Sequence, residues 1–337
     1  NKDRDNWYLH VHLWDPHTPY RAPSEFGNPF ENEPLNSWIN EDIFNAHLKH
    51  TGPHSLCELN MYNDDYSPEY PRYPGKIEKY QNLKDLFDGY DCGVRYADAL
   101  IGRLFDKVKQ QGIYDDTAII ITSDHGEDLG EFGIYCEHGM ADHATCHIPM
   151  IIKWPGGKKG IVDDELRYNI DLVPTVADLL DGIVWEEWDG KSFADLILHG
   201  TGKGHDSLVL SQQAHVCQRS ALFGDWLYIR TVHDGFHLFD DEMLYNIKDD
   251  PYEQNDVKEK FPEKCAIGAK IILDWHDQMM KKSESVIDPM WLVVKEGGPF
   301  HAKTDALKNY LIRLENTGRA DGAKRLREKY KNELSDK

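Results

Sequence analysis

Positive charge is scarce in this sequence: 38 Lys and Arg face 59 Asp and Glu across 337 residues, a formal net charge of −21 with histidine neutral. Such a surface repels a phosphate backbone, which excludes general nucleic-acid binding. An anionic substrate must then be met locally, by a metal ion or by a few placed cations. Long apolar runs are also missing. Nothing approaches the roughly 18 consecutive apolar residues that cross a bilayer, so no membrane span is expected. The six cysteines, Cys57, Cys92, Cys136, Cys146, Cys217 and Cys265, lie far apart, without close-paired zinc spacing, and declare no redox compartment. The chain opens at Asn1-Lys2-Asp3-Arg4-Asp5 with neither an initiating Met nor an apolar secretory segment. It is expected to be the interior portion of a longer protein.

What is present is ordinary for a globular protein, with 40% hydrophobic and 29% charged residues. The length suits one large α/β domain and a smaller second one. Trp7 to Trp14 reads as a first strand, ended by Asp15-Pro16-His17-Thr18-Pro19-Tyr20. Residues 21–75, crowded with Pro, Asn, Gly and Tyr, read as a long irregular insertion with short helical pieces. Between Lys76 and Gln111 apolar residues recur at three-to-four spacing, which predicts a long helix, kinked near Gly89 or Gly93 and stopped by Gly112. Thr117 to Thr122 is apolar and β-branched, the pattern of a strand covered on both faces; Ile148 to Ile152 follows as a second strand. Asp171 then opens a helix as its cap. The alternation predicts an α/β fold with a mostly parallel or mixed sheet sandwiched by helices over residues 1–199. Residues 200–337 are expected to form a small α+β subdomain: an antiparallel sheet from Ser207–Ser211, Ser220–Thr231 and Gly235–Asn246, then helices near Pro262–Met280, Thr304–Glu315 and Asp321–Leu334.

Chemistry is expected where the Thr117 strand stops, because ligands collect beyond the carboxyl ends of strands in α/β sheets. Asp124 and His125 fall there, followed by Glu127, Asp128, Glu131, Glu137, His138, Asp142, His143 and His147 before the next strand. A stretch so rich in ligand types is a candidate metal or oxyanion site.

Four stretches resemble the type I sulfatases of the alkaline phosphatase superfamily: Trp14 to Tyr20; Thr122 to Glu127 with Gly130 and Gly133; Pro149 to Gly156; and Ile170 to Thr175. A fifth, Leu244-Tyr245-Asn246-Ile247 with Asp250-Pro251 and Glu253, resembles that family's closing strand and turn. The resemblance covers about residues 7 to 255 and implies the carboxyl-terminal two-thirds of an alkaline phosphatase-like fold. It implies that Asp124 ligates a metal, with His125 in the adjoining ligand position. It implies that His17, in the Pro-His-x-Pro turn, contacts the sulfate ester and helps protonate its leaving oxygen, and that His138 stands where many members place a sulfate-binding lysine. Both histidines are thus catalytic and substrate-binding candidates. A histidine is cationic only below its pKa, so its contribution depends on pH where a lysine's does not. The ion implied is calcium, with manganese or zinc left open by the histidine ligand. An extracytoplasmic location, periplasmic or secreted, is implied as well.

Sulfatases use a formylglycine made from Cys or Ser in a Cys/Ser-x-Pro-x-Arg motif, and none of the six cysteines has that context. The nearest in composition, Cys217-Gln218-Arg219-Ser220, lacks the proline. The chain is therefore expected to be a portion of a sulfuric ester hydrolase whose nucleophile lies in an absent amino-terminal part. That part is either lost from a longer chain or supplied as a separate partner chain. The substrate expected is a sulfated small molecule or glycan, whose sugar rings the aromatic residues of the 21–75 insertion could stack on. A phosphodiesterase or phosphonate hydrolase of the same superfamily, and a noncatalytic anion-binding relative, are the alternatives.

Overall fold

The irregular stretch predicted after Tyr20 contains, among its described residues, a 3-10 turn at Ser24–Phe26 and one short helix, α1 (Glu41–His47), whose first-turn amides are capped by the Asn40 side chain. The computed structural model describes residues 6–62 and 70–335. Positions 63–69 of the insertion and the opening 1–5, on which part of the sequence reading falls, lie outside the described residues. The long helix forms as α2 (Tyr80–Gln110) and ends against Gly112, whose φ of +71° suits the stop. It runs unbroken, so no kink forms at either glycine. Gly89 and Gly93 serve close approach instead. A Cβ on Gly89 would lie 2.1 Å from the Arg72 carbonyl oxygen, and one on Gly93 would lie 2.9 Å from Cβ of Pro16. Leu83 and Leu86 of this helix are fully buried with Tyr20, Leu59, Tyr73 and Ile77; burying each leucine contributes about 1.5–3 kcal/mol. The turn that carries His17 is thus held at both ends, by Pro16 on Gly93 and by buried Tyr20.

Strand β1 (Ile119–Thr122) pairs with β4 (Met150–Lys153), and a short hairpin of β2 (Asp128–Leu129) and β3 (Tyr135–Glu137) lies between them in sequence. The α/β class holds, with two corrections of detail. The β1–β4 pair is antiparallel, with Ile119 opposite Lys153 and Thr122 opposite Met150. Nor is it covered on both faces, since Ile119 to Ile121 are half-buried and Ile151 is 61% exposed. The segment from Trp7 to Trp14 carries no sheet pairing among the described residues, contrary to the strand expected there. Its Tyr8, Leu9 and Trp14 are exposed, so neither a partner strand nor a covering layer fixes it.

Three short helices follow, α3 (His143–Cys146), α4 (Leu172–Leu179) and α5 (Ala194–His199). Asp142 caps α3 by accepting from Thr145 N at 3.2 Å. Asp171 precedes α4 but makes no cap bond to it; its oxygens accept from Tyr168 N at 2.9 Å and Lys191 N at 2.7 Å and meet His205 Nε2 at 2.9 Å. This carboxylate ties loops together, which sequence spacing does not reveal.

The carboxyl-terminal sheet is an antiparallel meander of four strands, β5 (Leu208–Gln212), β6 (Cys217–Phe223), β7 (Trp226–His233) and β8 (Glu242–Asn246). The run expected as one strand from Ser220 to Thr231 breaks into two, because Gly224, at φ +54°, turns the chain so that Phe223 faces Trp226. Helix α6 (Pro262–Lys282) packs on this sheet, with Gly268 pressed against Tyr228. Helix α7 (Pro289–Lys295) and a 3-10 turn at Phe300–Ala302 lead to α8 (Thr304–Asn316), α9 (Ala320–Lys329) and α10 (Lys331–Ser335). The predicted closing helix thus divides at Tyr330.

These last helices reach back to residues 51–59 of the insertion. Glu58, fully buried, accepts from Arg313 Nε at 2.7 Å and pairs with Arg319. Gly52 N donates to the Tyr310 hydroxyl at 2.7 Å, and Thr51 Oγ1 donates to the Phe236 carbonyl at 2.6 Å. On the other side, Tyr135 N donates to the His54 carbonyl at 2.9 Å. A segment without regular structure is thereby fixed between β3 and the carboxyl-terminal helices. Glu58→Ala leaves Arg319, 5% exposed, as an uncompensated buried charge. Urea denaturation should show a loss of about 3–5 kcal/mol, and a loss below about 1 kcal/mol would mean that this ion pair does not hold the segment.

Candidate active site

The end of β1 delivers Ser123, Asp124 and His125 to the surface of the fold. Asp124 is 77% exposed, and its Oδ1 accepts from His125 N at 3.2 Å and lies 3.9 Å from His125 Nε2. His125 Nδ1 is 2.7 Å from the Gly126 carbonyl oxygen. That contact fixes the tautomer with hydrogen on Nδ1 and leaves the Nε2 lone pair on the side of the carboxylate. Gly126 is required there: a Cβ would lie 2.1 Å from the Ala144 carbonyl oxygen, and its N–H donates to Thr145 O at 2.7 Å. A solvated carboxylate beside a free imidazole nitrogen is a donor set that fits a divalent cation.

Strand β3 brings Glu137 and, one residue on, His138 to the same place. The His138 ring stacks on that of His125 with centroids 3.8 Å apart, and its Nδ1 lies 2.5 Å from Glu137 Oε1. That hydrogen bond raises the His138 pKa above the usual histidine value, against the opposing effect of burial. Burial alone would raise the pKa of Glu137. The hydrogen bond from His138 and the nearby imidazoles of His54 and His215 instead hold its carboxyl well below the usual carboxylate range. The pair is therefore an ionised carboxylate beside an imidazole whose protonated form it favours, on the side of Asp124 and His125.

Of the sequence candidates, the structure gathers Asp124, His125 and His138. His143 and His147, which loop spacing could not separate from His138, stack on each other, with centroids 4.6 Å apart. His17 is exposed in its own turn, its ring stacked on Trp14 at 4.8 Å and its Nδ1 2.6 Å from the Thr18 carbonyl oxygen. Other members of the polar stretch serve the fold. Asp128 Oδ2 accepts from Gly139 N at 3.2 Å, and Glu131 Oε2 accepts from Leu129 N at 2.8 Å while burial pushes its pKa up to about 7.

Three further histidines converge on Glu137 that sequence reasoning did not single out. His54 Nε2 lies 3.3 Å from Glu137 Oε2 and His215 Nε2 lies 3.6 Å from Glu137 Oε1. The His301 ring is 4.6 Å from that of His215 and 5.9 Å from that of His54. Burial lowers the pKa of His54 to about 4 and that of His215 to about 3, and it lowers that of His301 as well. Their shifts run opposite to that of His138, toward the neutral form. Each stands alone in sequence, after Pro53, Ala214 and Phe300, so no local spacing joins them.

The site residues can now be set beside known proteins. Residues 1–183 match the Sulfatase family. The choline-sulfatase of Rhizobium meliloti is 27% identical over 270 residues, which is 77% of this chain and 48% of that protein. Arylsulfatase K of Homo sapiens is 26% identical over 270 residues, covering 76% of this chain and 48% of that protein. The chain thus spans about half the length of these relatives. In fold it is similar to the phosphonate monoester hydrolase SpPMH from Silicibacter pomeroyi, with a TM-score of 0.60 and 20% identity over 80% of this chain and 55% of that one. It is also similar to BT4656, solved in complex with its substrate D-glucosamine-2-N,6-O-disulfate, with a TM-score of 0.59 and 18% identity over 80% and 64% of the two chains.

The hydrogen bond and charge of Glu137 are the main causes that raise the His138 pKa, so Glu137→Gln should lower it, leaving only Asp124 to oppose burial. Histidine-resolved NMR titration measures this directly. An unchanged His138 pKa would show that the carboxylate does not hold the charge.

Proposed function

The chain belongs to the sulfatase family, and from that premise we propose that it forms the cation- and anion-binding side of a sulfuric ester hydrolase site acting on a sulfated carbohydrate. The observation that carries this reading is the His125–His138 stack beside Asp124, in which a charged imidazole and a cation-binding pair face one small region. Asp124 and His125 Nε2 would hold the divalent ion, calcium by resemblance, with manganese or zinc compatible with the imidazole donor. When bound, that ion supplies positive charge that polarises the ester oxygens.

The chain's own residues do the rest. His138, kept cationic by Glu137, binds a nonbridging oxygen of the sulfate and stabilises charge as it develops there. His17, in its exposed turn, is by resemblance the group that would donate a proton to the departing alkoxide. The nucleophile, a formylglycine in this family, would come from outside these residues, since this sequence contains no Cys/Ser-x-Pro-x-Arg motif. The described aromatic residues of the 21–75 insertion pack into the fold and offer no exposed stacking face; the carbohydrate is proposed instead from the likeness to BT4656, whose substrate is a disulfated glucosamine.

A phosphonate or phosphate ester hydrolase would need the same in-line geometry, so substrate preference decides between them. With the full-length protein, a sulfate ester of a given aryl leaving group should turn over faster than the phosphate ester; preferential phosphate turnover would overturn the sulfatase reading. Because His138 acts as the cation, kcat/KM should fall as pH rises through its pKa, and His138→Lys should move that fall to higher pH. An alkaline limb that stays in place in the lysine variant would remove His138 from the proposed role.

A further inference from the structure

We propose that His54, His215 and His301 hold a transition-metal ion of the Zn2+ class, with Glu137 orienting the imidazoles of His54 and His215. Each of the three rings places a nitrogen within 4.8 Å of the others, and a second, overlapping set of the same span is formed by Glu137, His138 and His215. The rings arrive from three separate parts of the fold, at centroid distances of 5.7, 5.9 and 4.6 Å.

The chemistry of the ring nitrogens favours an ion. Nε2 of His54 and of His215 lie 3.3 and 3.6 Å from Glu137 oxygens, and so close a carboxylate favours the tautomer with hydrogen on Nε2 and the lone pair on Nδ1. Both Nδ1 atoms are buried and have no hydrogen-bond partner. Leaving such an acceptor unsatisfied is destabilising, and coordination would relieve it. A carboxylate taking the second N–H of a metal-bound imidazole is the usual outer support of histidine-metal sites. A set made of neutral imidazoles alone suits zinc, copper or nickel, whereas calcium and magnesium favour sets dominated by oxygen donors.

The site is also held by backbone. The carbonyl of His54 accepts from Tyr135 N at 2.9 Å, the carbonyl of His301 accepts from the Tyr62 hydroxyl at 2.8 Å, and Phe300 N donates to Ala214 O at 2.9 Å, which locks the His301 turn to the His215 turn. His301 is half-buried beside exposed Phe300, which gives an ion a route in. The centre is distinct from the pair Asp124 and His125, from which His138 separates it: the His138 ring lies 3.8 Å from His125 on one side and 5.3 Å from His215 on the other. It does not depend on the hydrolase reading, since ligation is measured without turnover.

The test is calorimetric titration of the chelator-treated protein with Zn2+ in excess calcium, and titration with Co2+ followed by its visible absorption. One equivalent of Zn2+ should bind, and Co2+ should give the strong bands of a low-coordinate imidazole site. His215→Ala and His301→Ala should each weaken Zn2+ binding at least about 10-fold, while Asp124→Asn leaves it within about 2-fold. If His215→Ala fails to fold, the half-buried His301→Ala decides alone. The proposal is overturned if no stoichiometric Zn2+ binds, if binding survives the histidine variants, if it is lost with Asp124→Asn, or if the histidine variants lose affinity only for a sulfated sugar.

Discussion

The carboxylate of Glu58 lies fully buried between Arg313 and Arg319, and the placement of much of the site follows from it. Residues 51–59 have no regular secondary structure of their own and would not hold a conformation by propensity. Two guanidinium groups from the closing helices, with the Tyr310 hydroxyl on Gly52, fix them from one side, and the Tyr135 amide on His54 fixes them from the other. A buried charge of this kind is costly unless it is paired and hydrogen-bonded, so the pair enforces one arrangement of the chain ends around it. His54 enters the cluster because that arrangement is enforced.

Within the cluster one carboxylate sets two opposite protonation states. Glu137 favours the protonated form of His138 through a short direct hydrogen bond, while His54 and His215, farther from its oxygens and more deeply covered, are held toward the neutral form by the penalty of burial. A chain with a formal charge of −21 thereby presents a localised cation at one place and a set of lone pairs beside it. A lysine ammonium would carry its charge without such support. The substitution of imidazole for ammonium therefore makes the neighbouring glutamate part of the same function.

The sequence made the local elements legible where a single physical rule governs them. The three-to-four apolar spacing of α2, its glycine stop, and the helices at Pro262 and Thr304 all form where periodicity places them. Asp124, His125 and His138 were legible as neighbours because a strand end and a family motif point to them. Pairing direction was not legible, since an apolar run such as Ile119 to Ile121 looks alike in parallel and antiparallel ladders. Nor was the unpaired state of Trp7 to Trp14, whose β-like pattern says nothing about the presence of a partner. His54, His215 and His301 were invisible for a different reason: what unites them is tertiary convergence on Glu137, and tertiary convergence leaves no spacing to read.

The turn at Phe300–Ala302 has a consequence for biosynthesis. Its histidine leaves the ribosome after every other ring in the group, and the arginines that clamp residues 51–59 emerge later still. Until those arginines have been made, His54 and His301 cannot both join His138 beside Glu137, even if the strands around Asp124 have already folded. Synthesis through Arg319, rather than pairing of β1 with β4, is then the event that completes the histidine group.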